Sequence, residues 1–124
     1  GYGQFRDMLA HILAWWEEGM GIILAIAEGR EYERKKYDYD AFNAGAIARY
    51  RDWDEAGFMA HFEKTRQNAA ASLRSINDAA WENRRLRSWV NGIFIHHARE
   101  HLVALRVARA CSRRSTSWPR PRAA

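Results

Sequence analysis

The distribution of apolar and polar positions predicts a chain built only of α-helices. From Gln4 to Glu28, apolar side chains recur at steps of three and four residues, which places them on one face of a helix. These positions are Phe5, Met8, Leu9, Ile12, Leu13, Trp16, Met20, Ile23 and Ala27. Gly29 is a helix-stop signal directly after this segment, and the charged residues 31–38 indicate a loop.

The same spacing predicts three further helices. A short one begins near Asp40, and Asp54 is a suitable N-cap for a long third helix that ends at Asn77-Asp78. Residues 81–87 are expected to be a connector, and the last helix covers residues 88–108. The positions expected to face inward are Phe42, Ala46, Tyr50 and Trp53 in the second helix, Phe58, Met59, Phe62, Arg66, Ala69, Leu73 and Ile76 in the third, and Val90, Ile93, Phe94, Ala104 and Leu105 in the last.

No alternation typical of strands, no glycine-rich phosphate loop and no internal repeat is present in the sequence. Three long helices and one short one predict an all-α, antiparallel four-helix bundle. The length of 124 residues corresponds to one domain, and 48% hydrophobic with 28% charged residues is typical of a globular protein. Apolar stretches such as residues 19–27 are too short to span a bilayer, so no membrane contact is expected.

Charge and cysteine content refine this expectation. The segment from Arg84 onward has ten arginines and one acid, a net +9, whereas the preceding residues sum to −4. Such an arm can contact nucleic acid, but a low-complexity tail is the simpler interpretation. We therefore expect a bundle domain at residues 1–110, a basic, disordered tail at 111–124, and no nucleic-acid partner. The single Cys111 excludes an intramolecular disulfide and fits a reducing, cytoplasmic location.

Three histidines form a candidate metal site. His97 and His101 are four residues apart on the apolar face of the last helix, where unpaired imidazoles are costly. A shared divalent ion resolves this cost, and His11 offers a third ligand beside the apolar stripe of the first helix. The alternative is that these are neutral core histidines that are hydrogen-bonded to their neighbours. His61 and His96 are expected on the surface.

Other residues are weaker candidates for a site. Glu100 can orient a ligand imidazole or act as a general base, and Tyr50 can supply a proton, but both can equally be structural. Trp15 can line a pocket for an apolar electrophile, or it can be one of several packed tryptophans. Arg66 can bind an anionic group or form an ion pair. His97-x-x-Glu100-His101 matches one metalloprotease signature, but no acidic ligand follows it, which excludes that class.

Three segments resemble a known superfamily. Residues 6–15, Arg-Asp-Met-Leu-Ala-His-Ile-Leu-Ala-Trp, are similar to the opening motif of DinB/YfiT-like four-helix-bundle proteins. The segment from His97 to Leu102 resembles their closing H-x-x-E-H-L motif. The middle of the chain, with Phe42-Asn43, Tyr50-Arg51-Asp52 and Phe62-x-x-x-Arg66, is most similar to the ClbS/DfsB subgroup. The resemblance covers residues 4–108.

The resemblance implies a bundle whose zinc or nickel ion is held by His11, His97 and His101. It also implies a thiol-dependent S-transferase or hydrolase that acts on reactive electrophiles in stress or damage protection, with a low-molecular-weight thiol as a cofactor. Alternatives are a non-catalytic, ClbS/DfsB-like protective protein that binds a small molecule, and a structural, oligomerising bundle. We expect that the first helix of the superfamily is missing from this chain. Part of the apolar surface of residues 4–28 is then expected to be covered either by an upstream helix of the full gene product or by another subunit in a homodimer.

Overall fold

The computed structural model describes residues 2–116, and these residues form helices and connecting loops without strands. The bounds are α1 Tyr2–Ala27, α2 Tyr39–Tyr50, α3 Glu55–Ser75, α4 Arg84–Val90 and α5 His97–Thr116, with a 3₁₀-helix at Asp78–Glu82 and a π-helical segment at Asn91–His96. The prediction of an all-α helical chain is confirmed. For the first three helices, the predicted bounds differ from the observed ones by a few residues.

The ends of these helices follow from local chemistry. Gly29 has φ 67°, a conformation that side chains with a Cβ rarely adopt, and this lets the Arg30 N–H donate to the Ala25 carbonyl at 2.8 Å. The Asp54 carboxylate accepts the N–H of Gly57 at 2.8 Å at the start of α3. Both signals were visible in the sequence, because a cap depends only on residues within one turn.

The last helical region differs from its prediction at both ends. Asn83 caps α4 by accepting the N–H groups of Arg85 and Leu86, so most of the expected connector is helical. The backbone at His97 stays right-handed, and α4, the π segment and α5 follow one another without a break. α5 reaches Thr116, six residues into the predicted tail, because no proline or glycine interrupts it there. The predicted disorder of residues 117–124 lies outside the described residues.

The packing contacts give the topology. Tyr50 packs with Leu9 and Leu13, whereas the earlier α2 residue Asn43 meets Trp15, so α2 runs antiparallel to α1. In α3, Phe58 joins the cluster around Leu13 and Ala69 joins the cluster around Met20, so α3 runs parallel to α1. Leu86 packs in the cluster of Ile23, while His97 lies against His11, so α4 and α5 run antiparallel to α1. The four directions alternate, as expected for a helical bundle.

Most of the apolar surface of α1 is covered within the chain itself, and the expected homodimer stays a prediction. Leu13 and Ile23 are fully buried, and Ile12, Trp15 and Ile22 are almost fully buried, because the other helices pack around α1. Exposed apolar side chains lie on several elements: Leu102 and Val103 of α5 are 53% and 59% exposed, and Phe5 at the start of α1 is 41% exposed. Trp53 and Met59, predicted to face inward, are 40% and 38% exposed. Ala104, predicted to face inward, is exposed as well, because α5 packs mainly against one neighbour and buries only a narrow face.

The expectation that the apolar segments are too short to span a bilayer needs a correction for α1. The segment Gln4–Ala27 is long and apolar enough, by length and composition, to cross a membrane, contrary to the estimate made from its shorter apolar runs. In the fold, 61% of its most apolar window is buried against the rest of the chain. A helix surrounded by others in a bundle is apolar around most of its circumference for the same reason as a membrane span.

Candidate metal centre

The three predicted histidines converge. The Nε2 atom of His97 lies 2.8 Å from Nε2 of His11 and 3.0 Å from Nε2 of His101. One ligand atom from each ring can be chosen so that all three lie within 4.8 Å of one another. The i, i+4 spacing brings His97 and His101 together on α5. The antiparallel packing of α5 on α1 then brings His11 to the same point.

The surroundings of the three rings disfavour their protonated forms. Burial, followed by the proximity of His97 and His101, lowers the pKa of His11 to about 4. Burial and His101 lower the pKa of His97, and burial lowers that of His101 although Glu100 opposes the shift. Metal ions bind neutral imidazole, because the lone pair that holds the ion is otherwise occupied by a proton.

Hydrogen bonding among the rings cannot satisfy this arrangement. An imidazole nitrogen carries either one hydrogen or one lone pair, so Nε2 of His97 can make one good hydrogen bond and not two. A cation between the rings accepts a lone pair from each of them. Three nitrogens at zinc-bond distance from one tetrahedral ion lie about 3.3 Å apart. The two separations from Nε2 of His97, 2.8 and 3.0 Å, are somewhat shorter, and the ligand atoms of His11 and His101 lie within 4.8 Å of each other. The donor set therefore fits a divalent ion such as zinc or nickel.

A cavity of about 510 Å³ lies beside the histidines and has the size of a typical small-molecule site. His11, His97 and His101 line it together with Glu100 and four aromatic residues. The aromatic residues are Trp15, Tyr37, Tyr39 and Trp89. The structure thus places two of the weaker sequence candidates, Trp15 and Glu100, at the same cavity as the histidines. The exposed His96 also lines it, at the rim.

Asn43 and Tyr37, which sequence reasoning did not single out as site residues, line the same cavity as the histidines. The Trp15 indole N–H donates to Oδ1 of Asn43 at 2.8 Å, and its ring lies 4.1 Å from the ring of Phe42. The Tyr37 hydroxyl donates to Glu18 at 2.8 Å, which fixes the loop 31–38 beside the cavity. The pair Phe42-Asn43 was part of the resemblance to the ClbS/DfsB subgroup, but its position next to Trp15 depends on helix packing.

Tyr50, a proton donor in the sequence interpretation, lies elsewhere. Its hydroxyl is 3.4 Å from both Oε1 of Glu17 and Nε2 of His61, on another face of α1. Burial, reinforced by Glu17, raises the pKa of this hydroxyl. His61 is half-buried against Tyr50 and Trp53 and is not a surface residue, contrary to its prediction. Tyr50 therefore belongs to a second cluster and does not contribute to the histidine site.

Arg66 also lies away from the cavity. Its guanidinium forms an ion pair with Glu63 one turn earlier on α3, and half of its side chain is exposed. Although position 66 continues the apolar spacing, α3 contacts α1 through a stripe too narrow to include it. The long side chain reaches water instead, which excludes Arg66 from the candidate site and favours the ion-pair interpretation.

Comparisons with known proteins did not identify a relative of this chain. Comparisons of the chain with models of protein families, with curated proteins and with solved structures found no match. The functional inference therefore depends on the residues and distances described above.

Proposed function

We propose that this chain is a divalent-metal-dependent enzyme of the DinB-like type that acts on reactive electrophiles. His11, His97 and His101 would hold zinc or nickel. The observation that carries the proposal is the position of Nε2 of His97, which lies within 3.0 Å of two other imidazole nitrogens. A cation satisfies this arrangement and hydrogen bonds alone do not.

The surroundings support transfer or hydrolysis. A divalent ion held by His11, His97 and His101 would lower the pKa of a water or thiol ligand toward neutrality and so would supply a nucleophile. The Glu100 carboxylate lines the same cavity and is the base available there for the proton that the nucleophile loses. Trp15 and Trp89 supply apolar surface to the lining of the cavity. A low-molecular-weight thiol and an electrophile would enter through its open side.

The aromatic lining favours one second candidate, a non-catalytic protein that binds and sequesters the electrophile. Both candidates need the cavity, but only the enzyme needs the nucleophile to be activated. Turnover of a thiol such as glutathione with an aryl halide electrophile, lost in His97→Ala, supports the enzyme. Binding of the electrophile without consumption of thiol supports the second candidate.

Metal analysis of protein purified without nickel resin tests the proposal directly. We expect one zinc or nickel ion per chain by mass spectrometry and loss of that ion in His97→Ala. His96→Ala is the matched control, because His96 is an exposed neighbour whose ring is outside the cluster. A folded wild-type protein that takes up no divalent ion, even from added zinc, would show that the proposal is wrong.

A further inference from the structure

Asn43, which lines the cavity together with the histidines, offers a fixed hydrogen-bond donor. An indole N–H can only donate, so the atom of Asn43 that faces Trp15 is the amide oxygen. Within the described part of the chain, the Asn43 side chain makes no other hydrogen bond. The two hydrogens on Nδ2 are therefore the donors that Asn43 offers, and Asn43 lines the cavity.

The orientation of this donor is set in advance. Trp15 is only 7% exposed and is held by contacts with the rings of Phe42 at 4.1 Å and Tyr37 at 5.2 Å. A side chain bonded to such a fixed indole loses little further freedom when a ligand binds. A preorganised amide donor of this kind recognises an oxygen acceptor, and a carbonyl oxygen fits it best because it needs no hydrogen of its own.

The remaining walls suit a flat, uncharged ring. Trp15, Tyr37, Tyr39 and Trp89 supply aromatic faces and edges that attract another planar π-system. No lysine or arginine is among the residues that line the cavity in the described part of the chain. The acidic residue among them is Glu100, next to His101, so no cation is available to pair with an anionic ligand and the aromatic walls hold the ligand by ring contacts.

We propose that the cavity selects neutral, planar aromatic compounds that carry a carbonyl group, and that Nδ2 of Asn43 donates to the carbonyl oxygen. The ring packs against the aromatic walls beside the histidines. This inference rests on the proposed function, because it describes the electrophile that the same cavity would hold. Asn43 is then a specificity-determining residue.

A matched pair of ligands tests the hydrogen bond. 2-Acetylnaphthalene carries the carbonyl, and 2-isopropenylnaphthalene has the same shape with a CH₂ group in place of the oxygen. In equilibrium dialysis, we expect the wild-type protein to bind the ketone about tenfold more tightly, the effect of one buried hydrogen bond. The anion 2-naphthoate, whose ring is the same, tests the preference for uncharged ligands and should bind more weakly than the ketone to metal-free protein.

Asn43→Asp separates the donor from the contact with Trp15. The carboxylate still accepts from the indole but has no hydrogen to donate, so the ketone should lose about tenfold in affinity while the hydrocarbon changes little. Asn43→Leu, which loses both interactions, should weaken the binding of both ligands. Nitrogen-15 spectra of the tryptophan indole groups report whether the Trp15 hydrogen bond persists in Asn43→Asp.

Measuring ligand affinity with and without zinc tests the role of Asn43 separately from metal binding. Each ligand is measured on protein dialysed against EDTA and on zinc-loaded protein, and zinc content is determined in the same samples. Equal affinity for ketone and hydrocarbon in the wild type overturns the role of Asn43 even if zinc binds. A preference for the ketone that needs zinc and survives Asn43→Asp assigns the carbonyl contact to the ion and also overturns it. A preference that persists without zinc uptake supports Asn43 while the metal proposal fails.

Discussion

Two clusters on opposite sides of α1 contain histidine, and they differ in what satisfies the imidazoles. In the histidine site, Nε2 of His97 lies 2.8 Å from Nε2 of His11 and 3.0 Å from Nε2 of His101, so one ring nitrogen is shared by two contacts. In the second cluster, His61 lies 3.4 Å from the Glu17 carboxylate and from the Tyr50 hydroxyl. A carboxylate accepts several hydrogen bonds, so the second cluster can be satisfied without an ion. A histidine beside a carboxylate or a hydroxyl has a hydrogen-bond partner, whereas a histidine surrounded by other imidazoles is a candidate metal ligand.

The largest expected effect is on stability in the presence of zinc. At a free zinc concentration about a hundred times the dissociation constant, binding to the folded state alone adds about 2.7 kcal/mol to the free energy of unfolding. His97→Ala should abolish this increase, whereas His61→Ala should retain it although the apoprotein is less stable. Thermal unfolding with zinc and with EDTA measures both. Loss of the zinc effect in His61→Ala would remove the distinction between the two clusters.

A glycine pair on α1 tests whether the histidine site depends on close helix approach. A Cβ added to Gly19 would overlap the end of the buried Ile93 side chain, whereas one added to Gly21 meets open space. Gly19→Ala should cost about 1–3 kcal/mol of unfolding free energy through overpacking and should weaken zinc binding. Gly21→Ala should instead stabilise α1 by about 0.5–1 kcal/mol. Denaturant unfolding compares them, and equal effects would show that the contact with Ile93 adapts freely.

A substitution in the second cluster should change the unfolding free energy by a smaller amount and should not affect metal binding. Tyr50→Phe removes the hydroxyl near Glu17 and His61 while preserving the buried ring, and should cost about 0.5–1.5 kcal/mol of unfolding free energy. Zinc affinity should stay unchanged. Tyr39→Phe is the control, because Tyr39 is exposed and should change stability by less than about 0.5 kcal/mol. A drop in zinc affinity for Tyr50→Phe would contradict the separation of the clusters.

Glu17 and Glu18 are adjacent on α1, and Glu17 contacts the second cluster whereas Glu18 accepts from Tyr37 beside the cavity. Removing the charge of Glu18 should have the smallest effect on stability. Burial opposes ionisation of Glu18, but hydrogen bonds from Tyr37 and Lys35 outweigh it and lower its pKa. A carboxyl with a pKa below its ordinary value stabilises the fold above that ordinary value, and the contribution disappears as pH falls through the lowered pKa. Glu18→Gln should therefore lose a small part of the acid sensitivity of unfolding, measured by thermal unfolding from neutral pH down to about pH 3. Glu28→Gln, an exposed control, should keep that sensitivity.

The failed predictions for individual side chains share one physical cause. Arg66 and Ala104 continue apolar patterns on their helices, but both are exposed. Periodicity states which residues share a face of a helix, and it does not state how wide the contact with a neighbouring helix is. His61 was assigned to the surface for the same reason, because the tilt of α3 against Tyr50 and Trp53 is a property of the packed bundle.

The sequence alone determined the features that depend on neighbours within one or two turns. Helical periodicity, the stop at Gly29, the cap at Asp54 and the shared face of His97 and His101 are of this kind, and the structure agrees with them. Only tertiary packing decided which distant groups meet. His11 lies 86 residues from His97, and Asn43 lies 28 residues from Trp15, so their contacts depend on how helices rotate and approach one another. Close contacts such as that of Gly19 with Ile93 set this rotation, and no local pattern encodes it.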